Sequence, residues 1–200
     1  MKIICVGRNY INHARELNNP VPDKPLIFMK PSSALLINEK PFYYPEFSTD
    51  IHYEVELVIR MGKNGKHIQK EFAKSYLDQV SVGIDFTARD IQAECKKKGH
   101  PWEIAKGFNG SAVLGKWIDA DDITSLEFSL DKNSERVQVG RVADMIFSIE
   151  DILCYVSKFF TLNVGDMIYT GTPEGVGPVK IGDILEGYIG DQKLLSCEIK

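Results

Sequence analysis

Cysteine is scarce in this sequence, and its spacing excludes two kinds of stabilised fold. Four cysteines are spread through 200 residues, at Cys5, Cys95, Cys154 and Cys197, and no two of them form a CxxC pair. A cysteine-rich zinc site needs closely spaced ligand pairs, and a disulfide framework is typical of small secreted domains dense in cysteine. We therefore expect reduced thiols, a core held together by packing, and a cytoplasmic protein.

An excess of positive charge is also missing. The chain has 24 Lys and Arg residues against 28 Asp and Glu residues, which gives a formal net charge of -4. Proteins that bind DNA or RNA normally present a basic surface. The single basic run, Lys96-Lys97-Lys98, is typical of a solvated helix end. We expect no nucleic-acid partner.

Long apolar runs are missing as well. A helix that crosses a bilayer needs about 20 consecutive apolar residues, and no run in the sequence approaches that length. No membrane association is therefore expected. With 44% hydrophobic residues, the chain has enough apolar surface for one ordinary core, and we expect a single domain over residues 1–200.

The pattern of predicted elements favours a β-rich α+β domain. Short strands outnumber helices, and the two do not alternate strictly, which argues against a doubly wound fold. The predicted helices cover 10–17, 68–79 and 88–98, and a fourth begins at the capping pair Ser148 and Asp151.

Two carboxylates stand two residues apart in 53–59, a run with the period-2 pattern of a strand. Glu54 and Glu56 therefore point to the same side of that strand. Burying two anions without partners is unfavourable, so a cation is needed between them. A divalent metal ion is the simplest such cation, and a solvent-exposed strand face is the alternative.

Asp85 is the candidate for a third carboxylate ligand. It follows the predicted strand 80–84, at an end where neighbouring strands can also deliver side chains. The alternative is that Asp85 caps the following helix. Three carboxylates without clustered His or Cys favour Mg²⁺, Mn²⁺ or Ca²⁺ over zinc.

His13, Glu16 and Lys106 are candidates for the remaining chemistry. His13 and Glu16 are three residues apart on one predicted helix, a spacing that lets a carboxylate orient an imidazole as a general base. A surface pair without function is the alternative. Lys106 is an isolated cation that would balance a site otherwise rich in negative charge.

The order of motifs along the chain resembles the fumarylacetoacetate hydrolase family, in particular its short branch of acylpyruvases and oxaloacetate decarboxylases. The match runs nearly from end to end. The matching segments are Gly7-Arg8-Asn9-Tyr10 with His13 and Glu16, Phe28-Met29-Lys30-Pro31, Glu54-x-Glu56, Asp85-Phe86-Thr87-Ala88-Arg89-Asp90 with Gln92, Pro101-Trp102 with Ala105-Lys106, Asp144-Met145-Ile146-Phe147, and Thr170-Gly171-Thr172-Pro173-x-Gly175-Val176-Gly177.

The resemblance implies a fold, an assembly and three groups of site residues. The implied fold is the mixed β-sheet roll of the family's C-terminal domain, commonly a homodimer. The implied ligands of Mg²⁺ or Mn²⁺, with Ca²⁺ as a substitute in crystals, are Glu54, Glu56 and Asp85. The implied catalytic residues are the water-activating pair and the lysine that holds substrate or metal-bound water, namely His13, Glu16 and Lys106. The implied substrate-binding residues are Arg89, Gln92 and Thr172. One departure is Asn109, where many relatives carry Asp.

The function that follows is metal-dependent chemistry on a small 2-oxo acid. A divalent ion stabilises an enolate while the adjacent carbon-carbon bond breaks. We expect cleavage of 3-acylpyruvates or decarboxylation of oxaloacetate. The alternative is a tautomerase of the 2-hydroxyhepta-2,4-diene-1,7-dioate isomerase type. A more remote alternative is a metal-stabilised binding protein without turnover.

Overall fold

The structure is a computed structural model that describes residues 1–37, 39–119 and 122–200. Most regular elements in the described residues are strands. The strands are β1 (Ile3–Gly7), β2 (Leu26–Lys30), β3 (Leu35–Leu36), β4 (Ile51–Tyr53), β5 (Val55–Met61), β6 (Leu77–Asp85), β7 (Thr87–Ala88), β8 (Ala112–Leu114), β9 (Glu127–Lys132), β10 (Glu135–Arg141), β11 (Met167–Tyr169), β12 (Gly177–Pro178), β13 (Ile184–Ile189) and β14 (Gln192–Glu198). The α-helices are α1 (Ile11–Glu16), α2 (Arg89–Lys98), α3 (Glu103–Lys106) and α4 (Ile149–Phe159). Short 3-10 helices cover Ser32–Ala34, Lys70–Tyr76, Ile123–Ser125 and Val142–Asp144.

A mixed sheet of seven strands forms the centre, in the order β2-β1-β11-β5-β6-β8-β3. β1 runs parallel to β11, whereas β5 is antiparallel to both β11 and β6. The C-terminal ends of β1, β11 and β6 therefore lie next to the N-terminal end of β5, at the same end of these strands. Side chains from distant parts of the sequence therefore lie close together at this end of the sheet.

Close packing in the middle of the sheet brings the central strands β5, β6 and β11 together. Gly83 on β6 lies opposite Glu56 on β5. A Cβ atom at Gly83 would come within 2.6 Å of Tyr169 Cε1 and 2.7 Å of Val58 Cγ2. The buried Tyr169 hydroxyl donates a hydrogen bond to the Val113 carbonyl on β8 at 2.9 Å. Only glycine leaves space for this arrangement.

Two smaller sheets complete the β structure and confirm the predicted β-rich α+β class. β10-β9-β13-β14 form an antiparallel sheet, and β12-β4-β7 form a short one. The predicted cap of α4 is also confirmed, since Ser148 Oγ accepts from the Asp151 amide and Asp151 in turn accepts from Ser148. Within the described residues, none of the helices has the length and apolar character needed to traverse a bilayer.

The predicted helix over 68–79 is wrong. The segment holds the 3-10 helix Lys70–Tyr76, and β6 begins at Leu77. Leu77 pairs with Met61 on β5, and Phe72 is 57% exposed. The apolar residues therefore match helical spacing without forming one buried helical face, and pairing with β5 decides the structure of Leu77 to Gln79.

Candidate active site

Three carboxylates lie close together at one end of the central sheet, where β5 begins and β6 ends. Glu54 lies between β4 and β5, Glu56 is the second residue of β5, and Asp85 is the last residue of β6. All three are buried, and each offers an oxygen within 4.8 Å of the other two. The N-cap of α2 is Ala88 and has no side-chain cap. The two alternatives, an exposed strand face and a helix cap at Asp85, are therefore wrong.

The strand predicted over 53–59 is interrupted at Glu54. Here the chain leaves β4, which pairs with β12 and β7, and enters β5, which pairs with β6 and β11. The Glu54 carbonyl accepts a hydrogen bond from the Asp85 amide at 2.8 Å. The change of sheet, more than simple strand alternation, places Glu54 beside Asp85.

Two of the three carboxylates have cationic partners. Lys106 Nζ donates to Glu54 Oε2 and to Asp85 Oδ2, both at 2.8 Å, and Arg89 Nη2 donates to Glu54 Oε1 at 2.5 Å. Lys30 Nζ lies 2.7 Å from Asp85 Oδ1. Burial opposes ionisation of Glu54, but Lys106 and Arg89 hold the pKa of that carboxyl well below its usual range. Burial likewise disfavours the Lys106 ammonium, yet Asp85 and Glu54 raise its pKa.

Glu56 is the carboxylate without a cation. It is 2% exposed, and no Lys, Arg or His in the described part of the chain forms an ion pair with it. Its Oε2 accepts one hydrogen bond, from the Gly171 amide at 2.7 Å. Burial and the charge of Asp85 raise the pKa of Glu56 well above its usual range. A hard divalent cation with a preference for oxygen ligands would compensate this group, so the donor set fits Mg²⁺ or Mn²⁺.

α1 presents His13 to the cavity beside the carboxylates. His13 is buried, and its Nδ1 lies 3.5 Å from Glu16 Oε2, with no hydrogen-bond partner for that nitrogen in the described residues. Burial lowers the pKa of His13 from its ordinary value. The ring is therefore neutral at pH 7 and able to accept a proton. Glu16 Oε1 accepts from the Gly175 amide at 3.1 Å, which ties α1 to the loop after β11.

One cavity brings the predicted residues together. The predicted site residues that line it are His13, Glu54, Glu56, Asp85, Arg89, Gln92, Lys106 and Thr172. Glu16 is partly exposed and adjoins the cavity through His13. Arg89 Nη1 donates to Gln92 Oε1 at 2.8 Å. Asn109 is exposed and is not part of the lining.

Three further residues hold the site in place, and none of them has a role predicted from the sequence. Buried Lys30 donates to the Phe86 and Ser111 carbonyls in addition to its contact with Asp85. Its position directly after an apolar strand and within a matching motif was the available signal. Asn9 also lies within a matching motif. Gln138 carried no such signal, because its partners are remote in sequence.

Gln138 and Asn9 fix the loop that follows β11. Gln138 Oε1 accepts from the Val55 amide, and its Nε2 donates to Thr172 Oγ1, both at 2.9 Å. Asn9 Nδ2 donates to the Thr170 carbonyl at 2.8 Å, and its Oδ1 accepts from the Phe147 amide at 2.8 Å. These bonds hold Thr172 against the cavity.

Comparison with known proteins agrees with this geometry. The family model described as fumarylacetoacetate (FAA) hydrolase C-terminal matches residues 2–199. The chain belongs to the fumarylacetoacetate hydrolase family. The motif resemblance is thereby confirmed, and the mixed sheet roll with its helices is the fold of the family's C-terminal domain.

Three family members that are similar to this chain are named for three different reactions: a tautomerase, a hydrolase and an isomerase. Mouse mitochondrial oxaloacetate tautomerase FAHD1 is 43% identical over 201 residues, covering 99% of this chain and 91% of the relative. The structure of fumarylpyruvate hydrolase from Pseudomonas aeruginosa with Mn²⁺ and pyruvate has a TM-score of 0.94 and 36% identity, covering 100% and 89%. The 2-hydroxyhepta-2,4-diene-1,7-dioate isomerase structure from Mycobacterium marinum has a TM-score of 0.87 and 33% identity, covering 99% and 73%. This is a family of enzymes.

Proposed function

We propose that the protein is a divalent-metal-dependent enzyme that breaks the carbon-carbon bond of 3-acylpyruvates or decarboxylates oxaloacetate. One observation carries the proposal: the buried carboxylates of Glu54, Glu56 and Asp85 share a cavity with the neutral base His13. The fumarylpyruvate hydrolase structure named above contains Mn²⁺ and pyruvate, which supports a metal and a 2-oxo acid at this site. Mg²⁺ or Mn²⁺ is the proposed ion.

Each proposed role follows from a side chain's position. Glu54, Glu56 and Asp85 hold the metal, which supplies Lewis-acid stabilisation of the negative charge that develops on the 2-oxo acid. His13 accepts a proton from the water that attacks the distal carbonyl, and Glu16 stabilises the charged ring that results. Lys106 provides an ammonium group at the edge of the carboxylate cluster.

Substrate binding is assigned to three side chains around the same cavity. Arg89 offers a guanidinium to the substrate carboxylate, and Gln92 orients that guanidinium through its 2.8 Å hydrogen bond. Thr172 contributes a hydroxyl on the opposite loop, held by Gln138. The small 2-oxo acid is therefore enclosed by α2 on one side and the loop after β11 on the other.

Keto-enol tautomerisation of oxaloacetate is the second candidate. The observation that favours it is the 43% identity to mouse oxaloacetate tautomerase over almost the whole chain. The same residues would serve this reaction. His13 can move a proton at the carbon next to the carbonyl, and a metal held by Glu54, Glu56 and Asp85 would supply Lewis-acid stabilisation. The isomerisation predicted from the sequence is that of hydroxy-dienedioates, and oxaloacetate is not among its predicted substrates.

A substrate panel tests the proposal and ranks its candidates. Acetylpyruvate, fumarylpyruvate, keto and enol oxaloacetate, and a 2-hydroxy-dienedioate are each incubated with the protein in Mn²⁺, and then after chelation. We expect metal-dependent turnover of an acylpyruvate or of oxaloacetate. Exclusive turnover of the dienedioate would select the isomerase instead. No turnover of any compound would contradict the proposal and favour the binding-protein alternative.

We also propose a homodimer. β10 is an edge strand of its sheet, and free edges are normally covered. Ile11 and Val139 are 44% and 41% exposed and line the same surface groove beside that strand. Light scattering at micromolar concentration should give twice the chain mass of 22.5 kDa. A monomer mass would contradict the dimer.

Two further expectations complete the proposal. Strands from both ends of the chain enter the fold, with β1 inside the central sheet and β14 paired to β13, which supports a single catalytic domain over residues 1–200.

All four cysteines carry free thiols, which is consistent with a reducing compartment and with the cytoplasmic location that we propose.

A further inference from the structure

Gln138 is a buried polar side chain on β10, a strand at the edge of its sheet. It is 2% exposed, whereas the next residue, Val139, is 41% exposed. The pairing of β10 with β9 shifts register between Arg136 and Gln138, which leaves Val137 as an extra residue. Gln138 is thereby paired with the fully buried Leu130. A bulge of this kind re-aims a side chain and is common beside active sites, and here it directs Gln138 into the interior.

The same bulge contacts the loop after β11. A Cβ atom at Gly175 would lie 2.3 Å from the Val137 carbonyl oxygen, so only glycine fits against the bulge. Gly175 also has φ of 92°, which favours glycine. Its amide donates to Glu16 Oε1 at 3.1 Å. The loop that contains Thr172 therefore rests on the bulged strand, and Gln138 reaches into the loop from that strand.

Backbone groups on either side fix the orientation of the Gln138 amide. The Val55 amide, 2.9 Å from Gln138 Oε1, can only donate a hydrogen bond. The Pro173 carbonyl, 3.0 Å from Gln138 Nε2, can only accept one. A flipped side chain would place donor against donor and acceptor against acceptor. The NH2 group of Gln138 therefore faces Thr172, and Thr172 Oγ1 accepts its hydrogen bond at 2.9 Å.

The Thr172 hydroxyl keeps its own proton for another acceptor. A hydroxyl has one proton to donate and two lone pairs that accept, and Gln138 uses one of the lone pairs. Among the described residues, the hydroxyl reaches the Pro173 carbonyl as an acceptor, at 3.4 Å. That distance is longer than a normal O–H···O bond, and the same carbonyl already accepts from Gln138. Since Thr172 lines the cavity, its proton is available to a ligand there.

We propose that Gln138 is a positioning residue that makes the Thr172 hydroxyl a hydrogen-bond donor to the bound substrate. By donating both to Thr172 Oγ1 and to the Pro173 carbonyl, Gln138 leaves the hydroxyl proton directed at the cavity. An anionic oxygen of the ligand, in a carboxylate or an enolate, gains most from such a donor. The inference rests on the proposed function, because it requires a 2-oxo acid in the cavity that Thr172 lines.

Replacing Gln138 with methionine removes the amide and keeps a side chain of similar length. The Pro173 carbonyl then loses its donor and competes for the Thr172 proton, which turns away from the cavity. The Val55 amide also loses its acceptor, so the protein becomes less stable. The proposed role concerns ligand binding through one hydroxyl, whereas the stability loss does not require that hydroxyl. A double-mutant cycle with Thr172→Val separates the two effects.

Isothermal titration calorimetry of pyruvate into the Mn²⁺-loaded protein measures the cycle. Thr172→Val should weaken pyruvate binding about tenfold, the effect of one charge-assisted hydrogen bond. Gln138→Met should weaken it about fivefold in the presence of the Thr172 hydroxyl, and less than about twofold in the Thr172→Val background. Thermal unfolding of the metal-free proteins should show a lower Tm for Gln138→Met in both backgrounds.

Two further variants support the comparison. Gln138→Leu also lacks the amide and should show the same dependence on Thr172, so that the test does not rest on the folding of one variant. Gln192→Met is the matched control, because Gln192 is an exposed glutamine on β14 and is absent from the cavity lining. It should bind pyruvate as the wild type does.

The outcomes separate failure of this role from failure of the proposed function. Pyruvate binding that is unchanged in Gln138→Met, or weakened equally with and without the Thr172 hydroxyl, would overturn the role of Gln138 and leave the proposed function in place. If pyruvate does not bind the Mn²⁺-loaded wild type, the proposed 2-oxo acid site is itself contradicted, and the role of Gln138 with it.

Discussion

Replacing Glu56 with glutamine is expected to lower kcat/KM on any turned-over 2-oxo acid by about 10³-fold. The substitution keeps the shape of the side chain and its acceptor for the Gly171 amide, but it removes one of three anionic ligands. Lewis-acid stabilisation is worth several kcal/mol, and each 1.36 kcal/mol is about tenfold in rate. Steady-state kinetics at saturating Mn²⁺ measures the loss.

Thermal unfolding separates a lost metal site from a damaged fold. In chelator, Glu56→Gln should be at least as stable as the wild type, because buried Glu56 has no cationic partner among the residues that the structure describes. In Mn²⁺ at about 100 times Kd, the wild type should gain about 2.7 kcal/mol of stability by mass action, and the variant much less.

Glu135→Gln is the control for both measurements. Glu135 is exposed on β10, remote from the cavity lining, and has no ion pair among the described residues. It should match the wild type in rate and in Mn²⁺ response. Wild-type turnover that survives exhaustive chelation would contradict the proposed metal dependence.

Replacing His13 with alanine should separate the two carbon-carbon cleavage reactions. Water attack on an acylpyruvate needs a base, whereas decarboxylation of oxaloacetate needs only stabilisation of the enolate. The expected loss is on the order of 10²-fold or more for acetylpyruvate hydrolysis and a few-fold for decarboxylation. Both rates are measured on one preparation with its metal content checked.

Two further variants define how His13 acts. Glu16→Gln should reduce hydrolysis by a smaller factor in the same selective way, since Glu16 only assists the ring. His67→Asn is the control, because His67 is exposed, remote from the cavity, and has φ of 52°, which asparagine tolerates. Equal losses of both reactions in His13→Ala would mean that His13 binds substrate or closes the site, and not that it activates water.

The pH dependence of hydrolysis should follow the same histidine. Burial lowers the pKa of His13 from 6.5, and only the neutral ring accepts a proton. Hydrolysis should therefore decline as the pH falls, with a midpoint below pH 6.5, as the ring becomes protonated. Residual hydrolysis in His13→Ala should lack this decline, which a pH profile of kcat/KM between pH 5 and 8 would reveal.

The sequence was sufficient to predict those features in which local pattern and motif order agree. The capped helix α4 and the convergence of Glu56 with Asp85 follow from capping chemistry, alternation and strand ends. The family follows from the order of its motifs. In these cases the local preference of the chain and its tertiary surroundings favour the same structure.

Other features depend on contacts that no local pattern encodes. The strand from Leu77 replaces a helical pattern because β5 offers a partner. Glu54 reaches the cluster through a change of sheet, and Gln138 secures Thr172 from a hairpin 34 residues away. The pairing of Lys106 with Glu54 and Asp85 likewise requires the folded chain. It leaves Glu56 without an ion pair in the described part of the chain.

Electron paramagnetic resonance of Mn²⁺ tests the central claim most directly. Titration of the metal-free wild type should remove the six-line signal of free Mn²⁺ up to one ion per chain, and pyruvate should then alter the spectrum of the bound ion. Glu56→Gln should leave most of the free signal in place at the same concentrations, while Glu135→Gln should behave as the wild type. Undiminished free signal with the wild type, or equally tight binding by Glu56→Gln, would contradict a catalytic metal held by Glu54, Glu56 and Asp85.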